Sequence, residues 1–377
     1  MNALVIAATA WALAATAFSL VALARLARQR PSPAGGGFPP VLLLRPVDAP
    51  TRAELEALAA PIDYPGPLEQ VVVGPGFFAS NPGCPNRKVG HLVAALAALP
   101  VAGRVVLSVD ADVRVDAALV THLAQPIARG AALSFAAPAP LPGAGLPARA
   151  VRALLCRTHH SFRALEAMSA GAKAVCGKAI GLGASAQKEL LRLGEVAGED
   201  LELSARLHAA GEKVVFVEAP AYVPQSGEPG EAEAVFHPVR SEAKSRGPGP
   251  GAGRSHEPSW REALDRFTRW MQVLKAHRPA LVPAVPLLFA PSLPLLALAA
   301  GLGSWLLGAA VGLLWLSRAA LAVRLFPGRA ANERPWLDWV LGEALLLAAF
   351  ARSLAARRLV WRGRVFWLRR GGRLVPA

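Results

Sequence analysis

The sequence predicts an α/β domain, built on a mostly parallel sheet and tied to a membrane at both of its ends. Three observations lead there. From residue 41 onward, short β-rich runs alternate with Ala/Leu-rich helical stretches. An uncharged run, Ala3 to Ala24, precedes them, and a second, Pro279 to Ser317, follows. Alternating strands and helices imply parallel strands joined by helical crossovers. Apolar runs of about 20 residues imply membrane spans.

The N-terminal run comes first. At about 1.5 Å rise per residue, a helix of this length reaches roughly 33 Å, enough to cross a hydrocarbon core. Arg25, Arg28 and Arg30 follow the run and do not precede it. That order is wrong for a cleaved signal peptide. The positive-inside tendency then puts the N-terminus outside and the chain after Arg25 in the cytosol. We therefore expect an anchor over residues 1–25.

Buried strands are expected at Val41 to Leu44, Gln70 to Val73, Arg104 to Val109, Ala131 to Phe135 and Lys213 to Val217. Thr51 to Ala60 and His91 to Leu99 carry helical spacing between them. Together they form a domain over residues 38–278, interrupted at Ser226 to Pro258. That stretch is rich in Gly, Pro, Glu and Ser and nearly devoid of apolar residues, so a flexible loop is expected.

Residues 279–377 form a membrane region with a basic tail. Pro279 to Ser317 has length for two crossings with a turn near Gly301 to Ser304, and Pro283, Pro286, Pro291 and Pro294 predict a kink before that turn. Leu337 to Phe350 is apolar but contains Asp338 and Glu343, which predicts an interfacial or re-entrant position with both Arg-rich flanks cytosolic.

The 377 residues carry a formal net charge of +15, and their placement excludes nucleic acid as a partner. Nucleic-acid binding requires clustered Lys and Arg interleaved with stacking aromatics, and only two tyrosines are present. The basic residues instead gather beside apolar segments, at Arg318, Arg324, Arg329, Arg352, Arg357, Arg358, Arg362 and Arg364, where they suit anionic membrane lipids. Cys84, Cys156 and Cys176 lack metal-ligand spacing and fit a reducing compartment.

Three clusters carry chemistry. Asp110-Ala111-Asp112 directly follows an apolar strand, and two carboxylates there can bind a divalent cation, although the bare pattern equally describes a solvated turn. Gly198-Glu199-Asp200 opens a helical stretch, where acidic residues serve as caps or as a general base. Arg266-Phe267-Thr268-Arg269-Trp270 puts two guanidinium groups on one helix face beside an indole, which makes either an anion fork or a basic flank to a membrane segment.

The ordered set resembles the processive-type family 2 glycosyltransferases, specifically the ceramide glucosyltransferase branch, with the hopanoid-associated bacterial glycosyltransferases close by. The resemblance includes the N-terminal anchor, Leu43-Leu44-Arg45-Pro46, Asn86-Arg87-Lys88, Val109 to Val115, Thr158-His159-His160, Val175-Cys176-Gly177-Lys178 and the tail Trp361-Arg362-Gly363-Arg364.

The resemblance implies a GT-A nucleotide-sugar domain of Rossmann-like type and a UDP-sugar donor. Asp110 and Asp112 would hold Mg2+ or Mn2+ and the diphosphate. Asp200 would be the base in a direct, inverting displacement. Arg266, Arg269 and Trp270 would close over the diphosphate, and Arg45 and Lys88 would join in nucleotide-sugar binding. His160 stands where that branch has an active-site histidine, or is a surface histidine. The implied reaction moves glucose to a lipid acceptor such as ceramide. The alternative is N-acetylglucosamine or another sugar on a hopanoid or other lipid.

One departure matters. The family has an acidic residue after the second strand that contacts the base, but Val73 to Ser80 contains no carboxylate. A non-catalytic membrane-bound relative is therefore a second class to weigh, and persistence of Asp110, Asp112 and Asp200 opposes it. A transporter is disfavoured because few membrane segments exist and none carries paired polar residues at mid-span.

Overall fold

The structure, a computed structural model, describes residues 2–28, 37–143, 145–168, 173–223, 258–325, 333–361 and 363–377. It is a mixed α/β fold with a parallel-rich central sheet and apolar helices near both ends of the chain. The expected loop over Ser226 to Pro258 lies, except for Pro258, outside the described residues.

After the apolar helix α1 (Ala3–Ala27), the α/β part runs β1 (Val41–Pro46), α2 (Arg52–Ala59), β2 (Leu68–Val73), α3 (Arg87–Ala98), β3 (Val105–Val109), α4 (Ala117–Ala128) and β4 (Leu133–Pro140). It continues through α5 (Leu146–Met168), β5 (Ala179–Leu182), α6 (Ala184–Leu190), α7 (Glu199–Ala209) and β6 (Val214–Val223). The sheet order is β2-β1-β3-β5-β4-β6. The pairs β1/β2, β1/β3 and β4/β6 are parallel, whereas β5 runs antiparallel to both β3 and β4.

All residues of β1, β3 and β5 are buried, as strands covered on both faces must be. Side chains alternate between two cores. Leu42, Leu44 and Val106 enter one, while Val41, Leu43, Val105 and Leu107 enter the other. Local sequence sets the helix starts: Thr51 and Glu54 form a capping box on α2, Asn86 caps α3, and Asp116 caps α4.

The C-terminal part begins with α8 (Trp260–His277), started by a capping box between Ser259 and Glu262. A 3-10 turn and the π-helical turn Val285–Phe289 lead into α9 (Ser292–Leu302), and the two halves of this segment meet at 55°. The proline-rich composition accounts for the bend. Gly303, with φ of 59°, ends α9 in the left-handed conformation, at the expected turn, and α10 (Trp305–Leu325) follows. By length and composition, α1 and α10 can each cross a membrane, and the bent segment makes a third candidate.

The expected interfacial stretch Leu337 to Phe350 lies within α11 (Pro335–Ala355), which packs on α5 and α8. Its two carboxylates are internal ion-pair partners. Asp338 meets Arg149, while Glu343 accepts from Arg157 at 2.8 Å, from Arg318, and from the Ser292 amide at 3.0 Å. The bend frees backbone carbonyls, and the same arginines cover them. Arg157 and Arg318 each reach Phe289 O at 2.9 Å, and Arg318 reaches Leu288 O at 2.6 Å.

The chain ends in a three-stranded antiparallel sheet, β7 (Arg358–Trp361), β8 (Arg364–Leu368) and β9 (Leu374–Pro376). This sheet returns to the α/β part. Leu374 N donates to Glu195 O at 2.7 Å, and Ala197 N donates to Gly372 O at 2.8 Å. His277 of α8 contacts Ala197 O as well, at 2.5 Å, so α8 and the last strand together hold the loop that leads into α7.

Candidate functional site

Asp110 and Asp112 follow β3 at its carboxyl end, the edge where parallel-rich sheets hold ligands. Arg45, at the end of β1, is fully buried behind them. Its guanidinium donates to Asp110 O at 3.2 Å, Ala111 O at 3.1 Å and Val113 O at 2.7 Å. Burial brings its pKa down to about 10, against the pull of Asp110 and Asp112. Arg45 braces the Asp-Ala-Asp turn from within and does not line the cleft in front of it.

That cleft has a volume of about 560 Å³. Its charged lining comprises Lys88, Asp110, Asp112, Lys178, Glu199, Asp200, Arg266, Arg269 and Arg278, with the indole of Trp270 among them. Its apolar lining includes Leu155, Phe162, Leu274 and Leu281, which belong to one hydrophobic cluster. Five cations face four carboxylates here. A ligand with a polyanionic head and an apolar neighbour suits such a lining.

Lys88 ties the acidic groups together. Its ammonium lies 2.7 Å from Asp110 Oδ1 and 3.3 Å from Glu199 Oε1, and donates to Gly177 O at 2.6 Å. Burial disfavours its charge, but Asp110, Glu199 and Asp200 outweigh burial and raise its pKa. Asp110 behaves inversely. Burial pushes it upward, Lys88 and Lys178 overcome that, and its pKa falls to about 2. Both groups stay charged.

Asp200 lies in the first turn of α7, just after Gly198, whose φ of 73° turns the chain into the helix. Its Oδ2 accepts from Gly177 N at 2.7 Å and its Oδ1 from Leu201 N at 2.9 Å. Burial, reinforced by the charge of Glu199, raises its pKa to about 6 in spite of Lys88. A carboxylate near neutrality at a cleft wall has the basicity that general-base work asks for.

Arg266, Arg269 and Trp270 project from one side of α8, with the Arg266 guanidinium 5.9 Å from the Trp270 ring centroid. Arg278, just past the end of α8, joins them. His160 does not reach the cleft, whereas its neighbour His159 does. Both histidines contact the Phe216 ring, His159 stacked on it at 5.4 Å. Burial lowers His159 to about 3, assisted by His160 and Arg163, and lowers His160 to about 4, assisted by Arg163, so both are neutral near pH 7.

Of the nine residues singled out from the sequence, Lys88, Asp110, Asp112, Asp200, Arg266, Arg269 and Trp270 share the cleft, while Arg45 and His160 stand behind its walls. Lys178, Glu199, His159 and Trp361, which stand in the quoted motifs without an assigned binding role, line it as well, and so does Arg278, which no motif includes. The loop Gly74 to Ser80 does not line it. Phe77 of that loop packs against Val47, Leu58 and Ala111, while Phe78 is exposed.

A divalent ion would find hard oxygen ligands in Asp110 and Asp112. Asp112 Oδ1 is buried and accepts no hydrogen bond, an orphan that a cation would satisfy. Among the described residues no group of three or more His, Cys, Asp or Glu side chains is arranged to hold an ion, so remaining ligands would come from phosphate and water.

The sequence model of glycosyl transferase family 21 matches residues 248–374, which include Arg266, Arg269 and Trp270 and lie beyond Asp110, Asp112 and Asp200. This match supports sugar transfer in general. No curated protein matches the chain. Among solved structures, a mannosyltransferase from Pyrobaculum calidifontis in complex with GDP-Man and Mn2+ is similar at 17% identity and a TM-score of 0.40, covering 92% of this chain and 99% of that one.

Proposed function

We propose that the chain is a membrane-associated, inverting glycosyltransferase with a GT-A domain on the cytosolic face, moving a sugar from a UDP-sugar to a membrane lipid. Glucose and ceramide are the preferred pair. One observation carries the reading: three motifs far apart in sequence, Asp110-Asp112, Asp200 and Arg266-Arg269-Trp270, line one cleft whose lining is both charged and apolar.

In this reading the donor diphosphate lies among the charged side chains. Arg266, Arg269 and Arg278 balance its charge, Asp110 and Asp112 hold Mg2+ or Mn2+, and the lipid enters along Leu155, Phe162 and Leu281. The metal, when bound, offsets negative charge building on the departing diphosphate. Asp200 takes the proton from the acceptor hydroxyl. The freed oxygen attacks the anomeric carbon from the face opposite the diphosphate, the bond from that carbon to the phosphate oxygen breaks, and UDP leaves with the electron pair. Configuration at the anomeric carbon inverts. His159 and His160, neutral in their buried setting, take no part in charge balance.

Membranes containing the chain, given labelled UDP-glucose and ceramide, are expected to yield labelled glucosylceramide with the β configuration. No labelled lipid with any of several UDP-sugars and a total lipid extract would sink the proposal. Label on a hopanoid or another lipid would move the acceptor but keep the chemistry.

A further inference from the structure

Lys178 is the one cation whose ammonium touches both carboxylates of the Asp-Ala-Asp turn among the described residues, at 2.5 Å from Asp112 Oδ2 and 3.2 Å from Asp110 Oδ2. Its place is set by the sheet. Val109 of β3 pairs with Ala179 of β5, and Asp110 N donates to Lys178 O at 2.8 Å, so the register carries Lys178 directly opposite Asp110. The contact is thus built into the strand pairing.

We propose, resting on the donor-site reading above, that Lys178 is a resident counter-cation: it competes with the divalent ion for Asp110 and Asp112 and releases them to it only when the donor diphosphate arrives. A compact ammonium on a flexible four-carbon stem can leave a carboxylate for a phosphate oxygen without moving the backbone. The phosphate has every reason to attract it, since Arg266, Arg269 and Arg278 line the same cleft and concentrate negative ligands there. Arg266 also repels Lys178 electrostatically, which eases its departure. Lys88 is held differently. It is fastened to Gly177 O and Glu199 as well as Asp110, so it stays as a fixed strut while Lys178 exchanges.

Two consequences follow. The metal alone binds weakly, because it must displace an ammonium and leave that charge uncompensated. Metal and nucleotide then strengthen each other's binding, and by linkage they do so reciprocally.

Binding of Mn2+ to the full chain in detergent micelles, followed by the electron paramagnetic resonance signal of free Mn2+, tests this without turnover. In the wild type, UDP is expected to tighten Mn2+ binding by about tenfold or more, within the usual range of such couplings. In Lys178→Met, Mn2+ alone is expected to bind about tenfold tighter than to the wild type, and UDP to add little further. Lys178→Gln serves the same comparison should the methionine variant fold poorly, and the wild-type coupling needs no variant. Equal Mn2+ affinity with and without UDP in the wild type would overturn the proposal. So would unchanged Mn2+ affinity in either variant when UDP still binds. Failure of every form to bind UDP would instead overturn the donor-site reading itself.

Discussion

The amide of Gly177 donates to Oδ2 of Asp200 at 2.7 Å, across the gap between the loop before β5 and the first turn of α7. A side chain at position 177 would crowd both Asp200 and Lys88. A Cβ at position 177 would lie 3.2 Å from Asp200 Oδ2 and 3.3 Å from Lys88 Nζ. We expect Gly177→Ala to displace the carboxylate and lower kcat by about tenfold to a hundredfold. Steady-state kinetics paired with a thermal melt would separate this from unfolding, and wild-type kcat would refute the positioning role.

Asp200 itself is expected to impose a pH profile. With a pKa raised to about 6, its carboxyl is protonated below that value and cannot accept the acceptor's proton. Transfer should therefore rise through about pH 6 and level off above it. The sign for stability is opposite. A carboxyl whose folded pKa is raised favours folding when protonated, and this contribution is lost as pH climbs through about 6. Asp200→Asn should thus lose turnover by about 10²-fold or more while melting no lower than wild type at pH 7.5. Loss of stability with little loss of turnover would leave Asp200 as a helix-start residue only.

Glu343 is buried between two arginines from different helices. Removing it leaves both cations without their counter-charge, and a broken buried pair typically costs about 3–5 kcal/mol. Glu343→Ala is expected to lower the melting temperature in detergent markedly, and a melt unchanged from wild type would contradict the network's structural role. Glu343→Gln keeps hydrogen-bonding capacity and should fall between the two.

Membrane topology follows from where the flanks of the apolar segment sit. Helix α8 before it and the sheet β7–β9 after it both contact the α/β part, so the proposed topology puts both flanks on one face. A cysteine at Arg370→Cys, on the exposed tail, is expected to react with an impermeant maleimide only after the cells are opened. Labelling on intact cells would place the tail and the cleft outside the cytosol.

How far the sequence went depended on how local each signal was. The five expected strands are present, and β1 and β3 are buried throughout, as continuous apolar runs demand. The edge strand β2, expected to be buried, keeps only Val73 fully covered, and the edge strand β6 is half-buried. Strand β5 gives no strand signal of its own: Ala179 to Leu182 is only four residues and includes a glycine. Lys178 stands in a legible motif, but its meeting with Asp110 depends on pairing across 68 positions of chain, which no local signal shows. Helix α5 was overlooked because its apolar face is broken by arginines, and their partners Asp338 and Glu343 appear nearly two hundred residues later. The same acids were read as marks of an interfacial segment, since nothing local reveals a distant counter-charge. His159 and His160 differ by about 100° around a helix, and only tertiary packing decides which of them meets the cleft.

The joint between β9 and the loop before α7 bears on how the protein comes into being. Glu195 and Ala197, a few positions ahead of Asp200, are gripped by Gly372 and Leu374, residues that a ribosome makes only after every apolar helix has been synthesised. The earlier strands can collapse while translation is under way, but the loop that seats Asp200 waits for its last two fasteners. A chain stalled before its last strand is made would thus hold the sheet with Asp200 not yet seated.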